Sequence, residues 1–573
     1  MAAKIFRNQI FYYFLFLAVL LVPNAALCIT EPYTWNQTLA NLLIPFGGYA
    51  LLLLLTQRPG IMAYISFPFM FFGAFQLVLL YLFGNSIIAV DMFTNLFTTN
   101  ATEAGELLGN LWPAVAAVCI LYIPTLVAAG YSLRLKDRLK PHFRRRMLLV
   151  ATGAVLCGYG IGFFAQTEAY PFAARYQVFP INVLYNLKLT FVRWAKSENY
   201  PETSREFTFN ARKERWRGER EIYVLVIGEA SRAPQWSLFG YERKTTPHLD
   251  TLSGIVPFRD ALTQANATHK SVPIILAPAS AENFDEIFAQ KSLIAAFRES
   301  GFHTVFISNQ VPNRSLIDFF SEEADRRIDV SPHTNTLITD NRPDGEMLPA
   351  LRQVIRETTG DLLVVMHTYG SHFNYKMRYP DGFGHYTPDY ASSIGTQYKK
   401  ELVNSYDNSV LYTDHVLNEI ASVLDSTQAC TALLYSADHG EDILDDGRKR
   451  FLHASPIPTY YQLHVACFAW FSETYRNRYP KKAEAALRNK DLPTSTAAVF
   501  HTLVDMAGIE TEMLDTTRSL VNDGFQARER LYLNDHDQAV PVYAILRDKE
   551  DFEAMDRHGI RYDKSRVDPK KLK

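Results

Sequence analysis

The chain of 573 residues is long enough for two to four domains, and its 58 Lys and Arg stand against 60 Asp and Glu for a formal net charge of −2. That balance, with no basic stripe along the chain, excludes the electrostatic footprint of a nucleic-acid-binding protein. Hydrophobic residues make up 48% of it, and they divide sharply: the N-terminal part is membrane-like and residues after about 200 read as ordinary globular protein.

Apolar stretches at 10–29, 39–56, 61–84, 111–130 and 147–165 are each about 18–24 residues long, enough to cross ~30 Å of hydrocarbon at ~1.5 Å per residue. Five in succession predict a transmembrane domain of five helices over 1–165, the first a retained anchor rather than a signal peptide. Lys and Arg set the orientation. The segments 30–38 and 85–110 have none, whereas 134–146 carries Arg134, Lys136, Arg138, Lys140, Arg144, Arg145 and Arg146. The basic loop is therefore expected in the cytoplasm, with the N-terminus on the same side and everything after the fifth span outside.

Residues 166–220 are expected to bridge the two halves. Tyr170, Tyr176, Tyr185, Phe191 and Trp194 suit an interfacial segment, and the polar stretch 197–220 reads as a solvated linker.

From 221 to 573 the pattern is that of an α/β domain. Apolar β-rich runs at 222–227, 303–308, 362–367, 431–437 and 464–470 alternate with helical patterns at 291–300, 345–356 and 402–424. YVLVI and LLVVM are apolar throughout, as strands buried on both faces of a mostly parallel sheet require. Chemistry in such sheets gathers beyond the carboxyl ends of the strands. Glu229 follows the first run, His367 to His372 the third, and Asp438-His439 the fourth, with His453 fifteen residues after Asp438. The adjacent Asp and His at one strand end can supply a carboxylate oxygen and an imidazole nitrogen to a single ion, a donor mixture that zinc accepts. A hydroxyl on such a dication becomes a usable nucleophile. Thr268, in the segment NATHKSVP, is one candidate; Ser271 and Thr263 are its rivals.

Of the five cysteines, Cys28, Cys119 and Cys157 lie in or beside apolar stretches and read as small hydrophobes. Cys430 and Cys467 sit at or in expected strands, which leaves a disulfide between them open. The C-terminal tail, ending in DKSRVDPKKLK, reads as a solvated end.

The run GEASRAPQWSLFGYERKTTPHLD at 228–250, together with SADHGE at 436–441, resembles the bacterial inner-membrane phosphoethanolamine transferases. That family, to which the colistin-resistance transferases belong, joins five membrane spans to a periplasmic sulfatase-like domain of the alkaline phosphatase superfamily. The resemblance implies transfer of phosphoethanolamine from phosphatidylethanolamine to lipid A or lipopolysaccharide core, through a zinc-activated threonine and a covalent phosphoethanolamine–threonine intermediate. It implies zinc on Glu229, Thr268, Asp438 and His439, with a second zinc allowed. Thr268, five residues before Pro273, takes the place of the family's nucleophile. His372 and His453 are implied to bind the phosphoryl group, the leaving group or a second zinc. Asn100, Glu103 and Glu106 are implied to meet the lipid headgroup. The segment around Thr268 lacks the cysteines found in many lipid A transferases, which keeps a phosphoglycerol transferase, or a transferase acting on a periplasmic glycan, as the alternative. The C-x-P-x-R pattern of true sulfatases is absent.

Overall fold

The computed structural model describes residues 8–31, 33–84, 86–98, 101–164, 173–214, 219–331, 342–390 and 395–572, with the side chains of 95–98, 101–110 and 570 excepted. Asn100 and Tyr170, and the side chains of Glu103 and Glu106, fall outside this description. The chain divides into two compact units, one comprising 1–94 and 107–191 and the other 95–106 and 192–573.

The first unit is helical. Helices α1 (Gln9–Thr30), α2 (Trp35–Leu53), α3 (Pro59–Ile65), α4 (Phe67–Phe83), α5 (Ala101–Arg134) and α6 (Pro141–Phe164) cover all five apolar stretches. Their core is aromatic and aliphatic, with Tyr13, Phe16, Leu20 and Leu53 at 2% exposure or less. Helices α2 and α6 meet closely at Gly47, where a β-carbon would stand 2.4 Å from the Ala151 carbonyl; small residues let helices approach in this way. Buried amide nitrogens donate to backbone carbonyls within the unit, as Asn24 does to Phe179 at 2.8 Å and Gln9 to Ser132 at 2.7 Å.

The expected count of five spans is not confirmed. Among the described residues, three helices (α1, α6 and 111–134 of α5) are long and apolar enough to cross a membrane, or four if α3 and α4 together form one. That pair is bent by 59°. Pro68 lies in the first turn of α4 and cannot donate a hydrogen bond to the turn before it, which ends α3. Helix α2 falls short because Asn36, Gln37, Thr38 and Asn41 fill its first half.

The second unit is built on a seven-stranded sheet: β1 (Glu221–Gly228), β2 (Ile255–Pro257), β3 (His303–Ser308), β4 (Arg326–Asp329), β5 (Leu362–His367), β6 (Cys430–Ala437) and β7 (Cys467–Phe471). The spatial order is β2-β7-β6-β1-β5-β3-β4. Pairs β6-β1, β1-β5, β5-β3 and β3-β4 are parallel, and β7 and β2 close one edge antiparallel. Strand β1 lies centrally and is buried at every position, as its continuous apolar run requires. The five expected strands are all present within a few residues of their expected ends, and the short edge strands β2 and β4 are additions. The expected helices form as Leu293–Glu299, Met347–Glu357 and Lys399–Ser426.

One expectation is corrected here, and one question that the sequence left open is answered. Cys467 pairs in register with Ser436, while Cys430 begins the same strand six residues earlier, so the two thiols are far apart and both are free. The stretch 197–220 is partly built into the unit rather than solvated: Phe209 is 1% exposed, Arg212 bridges Glu510, and Lys213 is paired at 2.8 Å with buried Glu221. The C-terminal run 563–572 is exposed over most of its length, whereas the residues before it pack: Phe552, Met555 and Ile560, with Val567 from the run itself, join the buried cluster of Tyr460 and Leu463.

Candidate metal centre

Strand register brings the polar groups together. Gly228 of β1 pairs with Ala437 of β6, so Glu229 and Asp438, each one residue further on, leave adjacent strands side by side. Ile227 pairs with His367 of β5, and His367 with Ser308 of β3, which places the loops after β5 and β3 along the same edge. Thr268 begins helix α7 of the site region (Thr268–Leu276; the long helix Ile181–Glu198 precedes it) and points its hydroxyl at the ends of β1 and β6.

The donor atoms are evenly spaced. Thr268 Oγ1 lies 3.4 Å from Glu229 Oε1 and 3.2 Å from His439 Nε2. His439 Nε2 is 3.3 Å from Glu229 Oε1 and 3.3 Å from Asp438 Oδ2. These separations are long for hydrogen bonds between buried polar groups. They match another geometry: ligands ~2.0 Å from one tetrahedral ion stand ~3.3 Å from each other. The donor set therefore fits zinc. Glu229, Asp438 and His439 are 1% exposed or less, and two carboxylates buried with one imidazole call for positive charge. Burial pushes Asp438 up to about 7, and the Glu229 carboxylate adds to the push. Burial opposes charge on His439 too, but Asp438 and Glu229 outweigh it and hold the imidazole above its usual range.

Each donor is fixed from behind. His439 Nδ1 donates to the Gly440 carbonyl at 2.9 Å, which turns Nε2 towards Thr268, Glu229 and Asp438. Asp438 Oδ1 accepts from the amides of Ala230 at 3.1 Å and His439 at 2.7 Å. Ala230 is held at φ +52, a left-handed conformation costly for a residue with a β-carbon, and Tyr406 donates to its carbonyl at 2.6 Å. Gly370 packs against the backbone of Glu229, where a β-carbon would stand 2.6 Å from the Glu229 oxygen; its φ of +49 also favours glycine. Arg232 grips Asp445 with both terminal nitrogens at 2.7 Å and donates to the Glu441 carbonyl at 2.8 Å, joining the loop after β1 to the loop after β6.

Ser271 and Thr263 stand on the far side of Asp438 from the other donors. Ser271 Oγ lies 3.3 Å from Asp438 Oδ2, and Thr263 Oγ1 donates to the Asp438 carbonyl at 2.6 Å. Both brace Asp438.

The histidines fall into three places. His453 joins the centre: ligand atoms of Glu229, His439 and His453 lie within 4.8 Å of one another, and the His439 and His453 rings are 4.1 Å apart. His372 is one step further out, its ring 6.0 Å from that of His453. It stacks on Tyr369, whose ring lies 4.1 Å from the Arg378 guanidinium. His367 is buried behind the site, and burial holds it down at about 4, so it is neutral.

Two polar residues at the centre were not anticipated. Glu441 accepts from Tyr375 at 2.8 Å and pairs with His453 Nδ1 at 2.9 Å. Gln310, two residues beyond β3, donates to the Thr368 carbonyl at 2.9 Å and reaches Glu229 Oε2 at 3.5 Å. Their signal was position: Glu441 stands in the SADHGE run, and Gln310 follows a strand end.

The family profile described as Sulfatase matches residues 221–509. Phosphoethanolamine transferase EptC of Escherichia coli O18:K1:H7 is 28% identical over 323 residues, 54% of this chain and 55% of that protein. Kdo(2)-lipid A phosphoethanolamine 7''-transferase of Escherichia coli K12 is 30% identical over 275 residues, 46% of each. The chain spans about half the length of these curated relatives. Among solved structures, the periplasmic domain of Escherichia coli EptC in complex with zinc superposes with a TM-score of 0.53 at 26% identity, over 58% of this chain and 96% of that one. The integral membrane lipooligosaccharide phosphoethanolamine transferase A of Neisseria meningitidis superposes with a TM-score of 0.69 at 21% identity, over 90% of this chain and 98% of that one, and so shares the fold of apolar helices plus sulfatase-like domain.

Proposed function

We propose that this chain, which belongs to the sulfatase family, transfers phosphoethanolamine from phosphatidylethanolamine to lipid A or lipopolysaccharide core. The observation that carries the reading is the Thr268 hydroxyl, 3.2 Å from both Glu229 Oε2 and His439 Nε2. The activities named for the EptC and Kdo(2)-lipid A relatives support the group transferred and the acceptor. The zinc complex of the EptC domain supports the metal.

Glu229, Thr268, Asp438 and His439 would hold the zinc. When bound, zinc supplies Lewis-acid charge that lowers the pKa of the Thr268 hydroxyl and offsets charge on the phosphoryl oxygens. Ionised Thr268 Oγ attacks the donor phosphorus, the bond to the diacylglycerol oxygen breaks, and phosphoethanolamine stays as an ester on Thr268. His453, starting as the imidazolium with Nδ1–H held by Glu441, gives its Nε2 proton to the leaving oxygen. The acceptor oxygen then attacks the same phosphorus, passes its proton to the imidazole, and frees Thr268. His372 is assigned to the phosphoryl or leaving group.

The Lys and Arg asymmetry of the loops supports an inner-membrane protein with a cytoplasmic N-terminus and a periplasmic catalytic unit. Mass spectrometry of lipid A from cells with and without the chain tests the function. A gain of one phosphoethanolamine is expected. Unchanged lipid A, with phosphoglycerol or phosphoethanolamine appearing on a glycan, would overturn the acceptor.

A further inference from the structure

The segment that carries Thr268 is clamped by a hairpin from near the C-terminus, beyond the region matched by the family profile, which ends at 509. Its strands, β8 (Leu531–Leu533) and β9 (Ala539–Pro541), pair antiparallel. The Leu533 amide donates to the Gln264 carbonyl at 2.7 Å, and the Tyr532 hydroxyl donates to Asn266 Oδ1 at 2.7 Å. The hairpin tip reaches further, to the first turn of the nucleophile helix. Lys270, only 2% exposed, donates to the Asn534 carbonyl at 3.0 Å and lies 3.3 Å from Asp537 Oδ1. Asp537 in turn accepts from Arg193 Nε at 2.6 Å and Nη2 at 2.7 Å.

Two features show that this contact is specific. A buried ammonium is costly without an anionic partner, and a lysine two residues from the nucleophile on a mostly apolar helix has no packing advantage over leucine. Asp537 sits at φ +57, where glycine would be easier; a carboxylate stands there and joins two cations. We propose that Asp537 and Lys270 are positioning residues for Thr268, with the hairpin tip setting where the first turn of the nucleophile helix, and so the hydroxyl, stands. The Arg193 guanidinium fixes the Asp537 carboxylate and so keeps it aimed at Lys270.

This inference rests on the reading of Thr268 as nucleophile, and its test separates the two. The full-length chain in detergent is prepared as wild type, Asp537→Asn, Lys270→Met, Lys270→Arg and the Asp537→Asn/Lys270→Met double variant. Hydrogen–deuterium exchange over 264–276 and kcat and KM for phosphatidylethanolamine are measured on each. In Asp537→Asn and Lys270→Met, exchange in this segment is expected to rise about tenfold with the rest of the domain unchanged. Their kcat is expected to fall about tenfold at unchanged KM. Lys270→Arg is expected to restore both to within about twofold, and the double variant to be no slower than the slower single one. Exchange at the wild-type rate in both single variants, exchange raised evenly across the domain, or losses that multiply in the double variant would each overturn the inference. A wild type that transfers nothing from phosphatidylethanolamine refutes the transferase reading instead, and the exchange data still decide this one.

Discussion

Glu441 fixes the ring of His453: its Oε2 stands 2.9 Å from His453 Nδ1, while its other oxygen accepts from the Tyr375 hydroxyl at 2.8 Å. With Nδ1 committed to a carboxylate, the imidazole keeps Nε2 for the phosphoryl side. A glutamine at 441 has one acceptor oxygen and cannot serve both partners as acceptor. Glu441→Gln is expected to lower kcat about 10- to 100-fold with the circular dichroism spectrum unchanged. Wild-type turnover in this variant would remove His453 from the proton path.

The backbone of Glu229 leaves no room at Gly370. A methyl group there meets the Glu229 oxygen at 2.6 Å and nitrogen at 2.8 Å, both unable to swing aside, at a φ of +49. Gly370→Ala is expected to cost about 3 kcal/mol or more of stability and to displace the Glu229 carboxylate. Thermal melting and zinc content of the purified variant measure the two effects; a variant that keeps both would show that the loop yields.

Behind Asp438, the Ser271 hydroxyl at 3.3 Å is shared with the Ala267 carbonyl at 3.1 Å. Ser271→Ala removes one orienting donor without touching Glu229, Thr268, Asp438 or His439, the four proposed ligands. Zinc affinity, titrated against a chromophoric chelator, is expected to weaken about tenfold. An unchanged affinity would mean that the amides of Ala230 and His439 orient Asp438 unaided.

His464, away from the candidate metal centre, is expected to govern part of the acid stability. Its Nε2 donates to the Arg259 carbonyl at 3.0 Å and its Nδ1 accepts from the Tyr460 hydroxyl at 2.6 Å. Burial holds this imidazole down at about 3 against its ordinary 6.5. Between those values the unfolded chain takes up a proton that the folded chain refuses. The contribution to stability is thus complete above pH 6.5 and is lost as pH falls towards 3, by up to ~1.4 kcal/mol per pH unit. His464→Gln keeps a donor and an acceptor but does not titrate. Between pH 6.5 and 4.5 its melting temperature is expected to fall less steeply than that of the wild type, and parallel curves would contradict the assignment.

Much of the site was legible because strand ends are legible. The apolar runs of β1 and β6 end in Glu229 and Asp438, and their parallel register makes the two carboxylates neighbours. Thr268 was not separable from Ser271 and Thr263 by local sequence, since a hydroxyl's role depends on which way one helix turn faces. In the fold Thr268 faces His439, and the other two face Asp438 from behind. Glu441 and Gln310 escaped notice because their partners are distant in the chain. The bend between α3 and α4 is a backbone effect of one proline that hydropathy does not register. The packing of 549–567 on Tyr460 depends on a few apolar residues spaced too widely in a charged tail to read as a core.

The most direct test follows Thr268 itself. The full-length chain in detergent is incubated with phosphatidylethanolamine, quenched in acid, digested and sequenced by mass spectrometry, beside Glu229→Gln. A phosphoethanolamine adduct on Thr268 in the wild type, absent from the variant, is the predicted result. An adduct on Ser271 or Thr263, or turnover with Thr268 never modified, would contradict the account.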